Sequence, residues 1–355
     1  MKKFFKNKTV IVTGHTGFKG SWLTLILIHL GAKVIGISNN IPTKPSFFQS
    51  LKLNKKIKDL RADIRDLTKV KKILKKYQPD YIFHLAAQSL VKRSFREPSN
   101  TFTTNIVGTL NILESLRSLK KKCVSVIITS DKSYKNFEIQ RGYIEDDILG
   151  GEDPYSASKG SAELVIQSYC KSFFNKDKKR IGVARAGNVI GGGDWSKDRL
   201  VPDCVKSWSK NKKAILRNPS STRPWQHVLE AVFGYLTLSI KLKKNIKLHG
   251  EAFNFGPNNK INKNVLELVK EMKKTWNAVS WKIIKAAKDE KESKLLKLNS
   301  NKAKEKLKWQ TTLNFRETIK MTIDWYKNFY DKKNDNYNFS INQISNYLQF
   351  KKKRI

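Results

Sequence analysis

Thr9–Thr13 reads Thr-Val-Ile-Val-Thr, and the chain then runs Gly14-His15-Thr16-Gly17-Phe18-Lys19-Gly20 into an apolar stretch over 21–30. No other feature narrows the fold as much. A continuous β-branched and apolar run suits a strand buried on both faces of a parallel sheet. Glycines three residues apart let the chain turn sharply from strand to helix, leaving bare backbone N–H groups on which a diphosphate can rest. Gly31 offers a C-terminal cap for a helix over 21–30, and Lys33–Ser38 reads as the second strand. The spacing predicts a strand–turn–helix–strand unit with Thr13, Gly14, Thr16, Gly17, Phe18 and Gly20 around a dinucleotide.

A third strand before Asp63 and further strands over 80–85, 124–129 and 180–186 alternate with helices such as 105–116. Six strands in the first 186 residues predict a Rossmann-type, doubly wound α/β sheet. The expected division is a dinucleotide-binding domain over 1–186 and a smaller, mostly helical substrate domain over 187–330. The second part interleaves with the sheet through a strand at Phe253-Asn254-Phe255-Gly256-Pro257. A basic tail, 331–355, is expected to be loosely attached, although 337–350 holds enough aromatics to dock as a short helix.

An acid commonly ends the second strand to hold the adenosine ribose, but Gly36-Ile37-Ser38-Asn39-Asn40 contains none, so this strand does not choose between NAD and NADP. Lys44 and Arg61 are cations available to a 2′-phosphate. Asp63-Ile64 is placed to read an adenine amino group, with an ordinary loop aspartate as the equal alternative. Small side chains at Ala86-Ala87 let a ribose or diphosphate approach the backbone, or simply pack helix on sheet.

Tyr155 and Lys159, spaced Tyr-x-x-x-Lys, lie one turn apart on the same helix face. An ammonium so placed is expected to lower the phenol's pKa towards neutrality, the arrangement for removing a hydroxyl proton as hydride leaves the same carbon. Ser130-Asp131-Lys132 follows the fifth strand, at the carboxyl end where open α/β sheets bind ligands.

Lys and Arg number 71 against 30 Asp and Glu, a net charge of +41. That would suit a nucleic-acid binder, but the lysines are spread over every region and no nucleic-acid motif accompanies them. Much of the charge is expected to be solvated surface. Cys123, Cys170 and Cys204 are too dispersed for a disulfide frame or a metal site. Residues 1–8 are basic and too short for a secretion signal, and the apolar run over 23–30 is too short for a bilayer, so a cytoplasmic protein is expected.

Thr13-Gly14-x-x-Gly17-x-x-Gly20, His84-Leu85-Ala86-Ala87-Gln88, Tyr155-x-x-x-Lys159 and Arg185-x-x-Asn188 resemble the extended short-chain dehydrogenase/reductase superfamily, in its nucleotide-sugar branch. Four stretches are similar to the CDP-glucose 4,6-dehydratases within it: residues 15–22, Ser130-Asp131-Lys132, Gly191-Gly192-Gly193-Asp194-Trp195, and 223–230. The resemblance spans about residues 5–330.

It implies a tightly held NAD, reduced and reoxidised within each turnover, with Leu85, Ala86, Ala87, Asn105, Thr129, Tyr155 and Lys159 among its contacts. Tyr155 would take the proton of the 4-hydroxyl, Ser130 would bond that oxygen, and Asp131 would protonate the departing 6-hydroxyl. Lys132 stands where relatives acting on other nucleotides carry a glutamate that removes the C5 proton. It can do so only as a neutral amine, and otherwise orients substrate. Gln88, Arg93, Asn188, Arg199 and Val201 are expected at the nucleotide sugar. Arg217 and Arg223 supply charge for its diphosphate. His227 either meets a phosphate or the cytosine, or packs in a helix over 228–238.

CDP-glucose as substrate, a homodimer or tetramer, and a product entering surface-polysaccharide (O-antigen) biosynthesis are also implied. A related epimerase, a dehydratase of another nucleotide, and a non-catalytic regulator or nucleic-acid binder on the same fold are the alternatives. Asp131 disfavours the first of these, and the intact Ser130, Tyr155 and Lys159 disfavour the last.

Overall fold

A computed structural model describes residues 1–174, 179–257, 263–284, 295–332 and 334–354. In chain order it contains β1 (Thr9–Thr13), α1 (Phe18–His29), β2 (Lys33–Ser38), β3 (Lys58–Arg61), α2 (Leu67–Tyr77), β4 (Tyr81–His84), α3 (Gly108–Arg117), β5 (Cys123–Ile128), α4 (Pro154–Ser172) and β6 (Lys179–Ala186). Beyond them lie α5 (Leu200–Trp208), α6 (Val228–Lys244), β7 (Ala252–Phe255), α7 (Phe315–Asp331) and α8 (Asn336–Arg354). The strands form one sheet in the order β7-β6-β5-β4-β1-β2-β3. Every neighbouring pair is parallel.

The unbroken apolar runs follow from burial on both faces. Along β1, Val10 and Val12 pack with Trp22, Phe83, Val126 and Leu236 on one side. Ile11 packs with Ile35, Ile82, Leu113 and Ile166 on the other. The direction of winding reverses between β1 and β4, and the crevice above their carboxyl ends is where such sheets take a ligand. The seventh strand comes from the region beyond residue 186, so that region contributes both β7 and α6 to the sheet layer.

Two expectations are corrected. α1 starts at Phe18 rather than at residue 21, so Phe18, Lys19 and Gly20 form its first turn. Gly17 N–H donates to Gly14 O at 3.0 Å and Ser21 N–H to Gly17 O at 2.8 Å, which continues the turn directly into the helix.

The tail, in turn, is not loose. α8 is a 19-residue helix whose Ser340, Gln343, Ile344 and Tyr347 are buried. These fall at helical spacing, a stripe that the surrounding Lys and Asn conceal in a composition count. Tyr347 stacks on Phe233 at 4.9 Å, and its hydroxyl donates to Glu230 Oε2 at 2.7 Å. Gln343 Nε2 donates to Met321 O at 2.6 Å, and Trp325 Nε1 to Ser340 Oγ at 2.8 Å.

Glu230, on α6, also accepts the backbone N–H groups of Thr312 and Leu313 at 2.8 and 2.7 Å. Burial still dominates and pushes its carboxyl up to about 7. The native state therefore holds this proton between the ordinary glutamate range, about 4.3, and about 7, where the unfolded chain has released it. Glu230's contribution to stability must fall as pH rises through that window. Glu230→Gln, which mimics the protonated acid, is expected to destabilise most at pH 5 and progressively less towards pH 8. Urea melts of both proteins at several pH values check this; a penalty that grows with pH would refute it.

Candidate active site

The glycine turn forms a close-fitting cradle. Gly14 sits at φ +72°, and a Cβ there would lie 2.7 Å from Ala86 N. A Cβ on Gly20 would lie 2.1 Å from Gly14 O. Only glycine permits this approach. Thr13 Oγ1 shares a 2.7 Å hydrogen bond with His84 Nδ1 and accepts Ala86 N–H at 3.2 Å, tying β1 to β4 across the crevice. No side chain caps the N-terminus of α1. A dinucleotide diphosphate fits such a bare, close-walled helix start.

The catalytic candidates converge from two elements. Ser130 and Asp131 leave the end of β5, and Tyr155 and Lys159 lie in the first turns of α4, which Pro154 and the N-cap Asp153 fix. All four are buried. Ser130 Oγ donates to Asp131 Oδ1 at 2.8 Å and pulls the Tyr155 phenol down. Lys132 is half-buried beside them.

Burial governs their protonation. It pushes the Asp131 carboxyl up from the ordinary aspartate value, against the pull of Lys132, Ser130 and Lys19. It pushes Tyr155 up to about 12, opposed by Ser130 and reinforced by Asp131. It brings Lys159 down to about 8, with Lys19 pushing the same way and Glu163 opposing. The expected lowering of Tyr155 by Lys159 is thus not met in the protein alone.

The wall beyond this group is the loop Gly191-Gly192-Gly193-Asp194-Trp195. Trp22 Nε1 donates to Gly192 O at 3.0 Å, the Tyr326 hydroxyl donates to Asp194 O at 2.6 Å, and Trp195 Nε1 donates to Tyr330 Oη at 3.1 Å. Asp194 pairs with Arg199 at 3.0 Å. α7 therefore clamps the loop that orients Arg199.

Several predicted contacts are spent within the protein. The Gln88 amide donates to Leu90 O and Thr101 Oγ1 and accepts Leu90 N–H. Asn105 holds the Gln88 backbone and Ser158 Oγ. Arg93 pairs with Glu97 at 2.8 Å, Thr16 Oγ1 donates to Asn40 O, and Thr129 Oγ1 donates to Glu163 Oε1 at 2.6 Å. Asp63 is chelated by Arg65 at 2.6 Å, and Arg61 by Asp59 at 2.7 Å. Ile64 and Val201 are buried in the core.

His227 is fully buried at the start of α6, where Nδ1 accepts Leu229 N–H at 3.3 Å and burial lowers the imidazole to about 3. It packs rather than meeting phosphate, and α6 runs on to Lys244. Asn188 is exposed just after β6, Arg217 is exposed after Leu216, and Arg223 is half-buried with its guanidinium on Thr222 O. Among the described residues no cluster of His, Cys, Asp or Glu could hold a metal, and all three cysteines are buried and free. No described helix is long and apolar enough to cross a membrane.

Lys19 and Glu163 escaped notice as site residues. Lys19 had a signal: it is the one Lys, Arg, Asp or Glu in the apolar twelve residues of α1. Glu163 had none, since only the fold brings it under Thr129 and Arg185.

A doubly wound parallel sheet with a glycine turn after its first strand, and serine, tyrosine and lysine gathered beyond β5, define an extended short-chain dehydrogenase/reductase. The chain belongs to the GDP-mannose 4,6 dehydratase family, whose sequence pattern matches residues 11–322. It is 42% identical over 332 residues to the CDP-glucose 4,6-dehydratase of Salmonella typhimurium, with 92% of each chain covered. Among solved structures it is similar to the epimerase Mth375 of Methanothermobacter thermautotrophicus, with a TM-score of 0.79 and 25% identity over 94% of this chain and 96% of that one. It is also similar to the UDP-glucuronic acid 4-epimerase of Bacillus cereus, solved with UDP-glucuronic acid and NAD, with a TM-score of 0.77 and 25% identity over 91% and 100%.

Proposed function

We propose that this chain dehydrates CDP-glucose to CDP-4-dehydro-6-deoxyglucose, with NAD held throughout. The similarity to the Salmonella enzyme supports the substrate, and the glycine cradle supports the cofactor. When bound, NAD supplies the acceptor for the C4 hydride and its return to C6. The residues do the rest. Tyr155 takes the 4-hydroxyl proton, and Ser130 bonds the same oxygen. Oxidation makes the C5 hydrogen acidic, because the carbanion is delocalised into the C4 carbonyl. Asp131 then gives its proton to the oxygen leaving C6.

Asp131 is the observation that carries dehydration over epimerisation. A buried carboxyl bonded to Ser130, its pKa raised by burial, is placed to give a proton to a leaving hydroxyl, and has no task in simply inverting C4. Residues 187–330 take the nucleotide sugar in this reading. A cytoplasmic homo-oligomer feeding surface-polysaccharide synthesis belongs to the same proposal. Leu164 and Phe173, 57% and 47% exposed on or next to α4, support a partner copy there.

The test incubates the purified protein with CDP-, dTDP-, GDP- and UDP-glucose and follows the loss of one water by mass. Turnover of CDP-glucose with no net cofactor reduction is expected. Loss of water from a different nucleotide sugar, or from none, would refute the substrate assignment.

A further inference from the structure

β2 ends in Ser38 at the place where an acid commonly holds the adenosine ribose, and none of the roles above supplies the missing acceptor. The glycine turn reaches this strand end through three contacts. Gly14 N–H donates to Ile37 O at 2.8 Å, Thr16 Oγ1 donates to Asn40 O at 2.7 Å, and His15 Nδ1 meets Ser38 Oγ at 3.0 Å. His15 is fully buried and closes over Gly36, where a Cβ would come within 2.4 Å of the ring. Its other nitrogen, Nε2, meets Asp59 Oδ1 at 2.9 Å. Asp59 stands opposite Gly36 in the β2–β3 register, and Arg61 stands opposite Ser38. The Arg61 guanidinium donates to the second oxygen, Asp59 Oδ2, at 2.7 Å. A carboxylate can only accept, so the Nε2 hydrogen of His15 points to Asp59 and Nδ1 is left bare. Burial, against the pull of Asp59, holds the imidazole below its ordinary pKa and so neutral. Ser38 then donates its own hydrogen to Nδ1, which leaves its oxygen with lone pairs alone to offer a ligand.

We propose that the chain Asp59–His15–Ser38 takes the place of the missing acid, fixing Ser38 Oγ as the acceptor of the adenosine 2′-hydroxyl and so selecting NAD over NADP. The inference rests on the reading that the glycine cradle holds NAD. A free 2′-hydroxyl has a hydrogen for Ser38 to accept, whereas a 2′-phosphate dianion presents only acceptors. His15 and Asp59 are positioning residues, acting through Ser38. Asp59 also acts a second time. By pairing with Arg61 it occupies the one side chain opposite Ser38 that would favour a 2′-phosphate. The same carboxylate thus sets the hydrogen-bond direction at Ser38 and withholds a cation from the competing cofactor.

The purified protein, incubated with an excess of two dinucleotides in equal amounts and then desalted, reports by mass which of them it keeps. Against 2′-deoxy-NAD, which lacks only the adenosine 2′-hydroxyl, the wild type is expected to favour NAD by about tenfold, and Ser38→Ala to bring that ratio close to one. Against NADP, Asp59→Asn should raise the NADP share by about tenfold or more, because Arg61 is released to meet the phosphate. Adding Arg61→Met to Asp59→Asn should abolish that gain. A Ser38→Ala protein that still rejects the 2′-deoxy analogue as the wild type does would overturn the proposal. So would a wild type that keeps NAD and the analogue equally, or an Asp59→Asn protein that excludes NADP as before. Asp59→Asn leaves Ser38 in place, so it decides the matter if Ser38→Ala does not fold. Failure of the cofactor reading looks different, because the wild type would then keep neither NAD nor NADP, and both readings would fall.

Discussion

Tyr155→Phe should lower kcat on CDP-glucose by about 10²–10⁴-fold, the range a positioned acid–base group contributes. Phenylalanine keeps the packing and removes only the hydroxyl. The residue is buried, Ser130 pulls its phenol down, and Ser130 donates to Asp131. Deleting one oxygen therefore removes the acceptor of the 4-hydroxyl proton. The first step fails, so no reduced cofactor should accumulate. Steady-state rates, with cofactor content measured on the purified variant, check this. A Tyr155→Phe enzyme within tenfold of the wild type would remove Tyr155 from the proton path.

Arg185→Met should destabilise the fold by about 3–5 kcal/mol, because it strands a buried carboxylate. Arg185 and Glu163 are each 1% exposed and meet at 2.6 Å. Arg185 also donates to the Tyr134 hydroxyl at 2.6 Å and to Glu145 O at 2.9 Å. Tyr134 passes the connection to Asn254 on β7, and Glu163 receives Thr129 at the end of β5. One ion pair thus joins β5, β6, β7 and α4 immediately beneath the catalytic groups. Removing both charges is a different experiment from removing one. Arg185→Met with Glu163→Leu should regain much of the loss, since apolar pairs commonly replace buried ion pairs at little cost. Denaturant melts of the single and double variants give the comparison. A single variant within 1 kcal/mol of the wild type would show that the pair is dispensable.

Local chemistry made part of this molecule legible before any coordinates. β1 and β2 lie on the expected residues because a strand buried on both faces must be apolar at every position. The shared helix face of Tyr155 and Lys159 was legible because residues four apart lie one turn apart on a helix. Long-range contacts hid the rest. Nothing near Gln88 or Asn105 in sequence announces that their amides are consumed by Leu90, Thr101 and Ser158. Nothing near His227 announces its burial.

The amino-acid order by itself determined the parallel sheet, the glycine turn after β1, and the pairing of Tyr155 and Lys159 on one helix face. These depend on periodicity and on spacing within one strand or helix. Tertiary structure alone decided that α8 docks on Glu230, that burial raises rather than lowers the Tyr155 phenol, and that Glu163 comes under Thr129 and Arg185. The reason is common to all three. Burial and charge at a point sum over groups hundreds of residues apart, and only the folded chain brings them together.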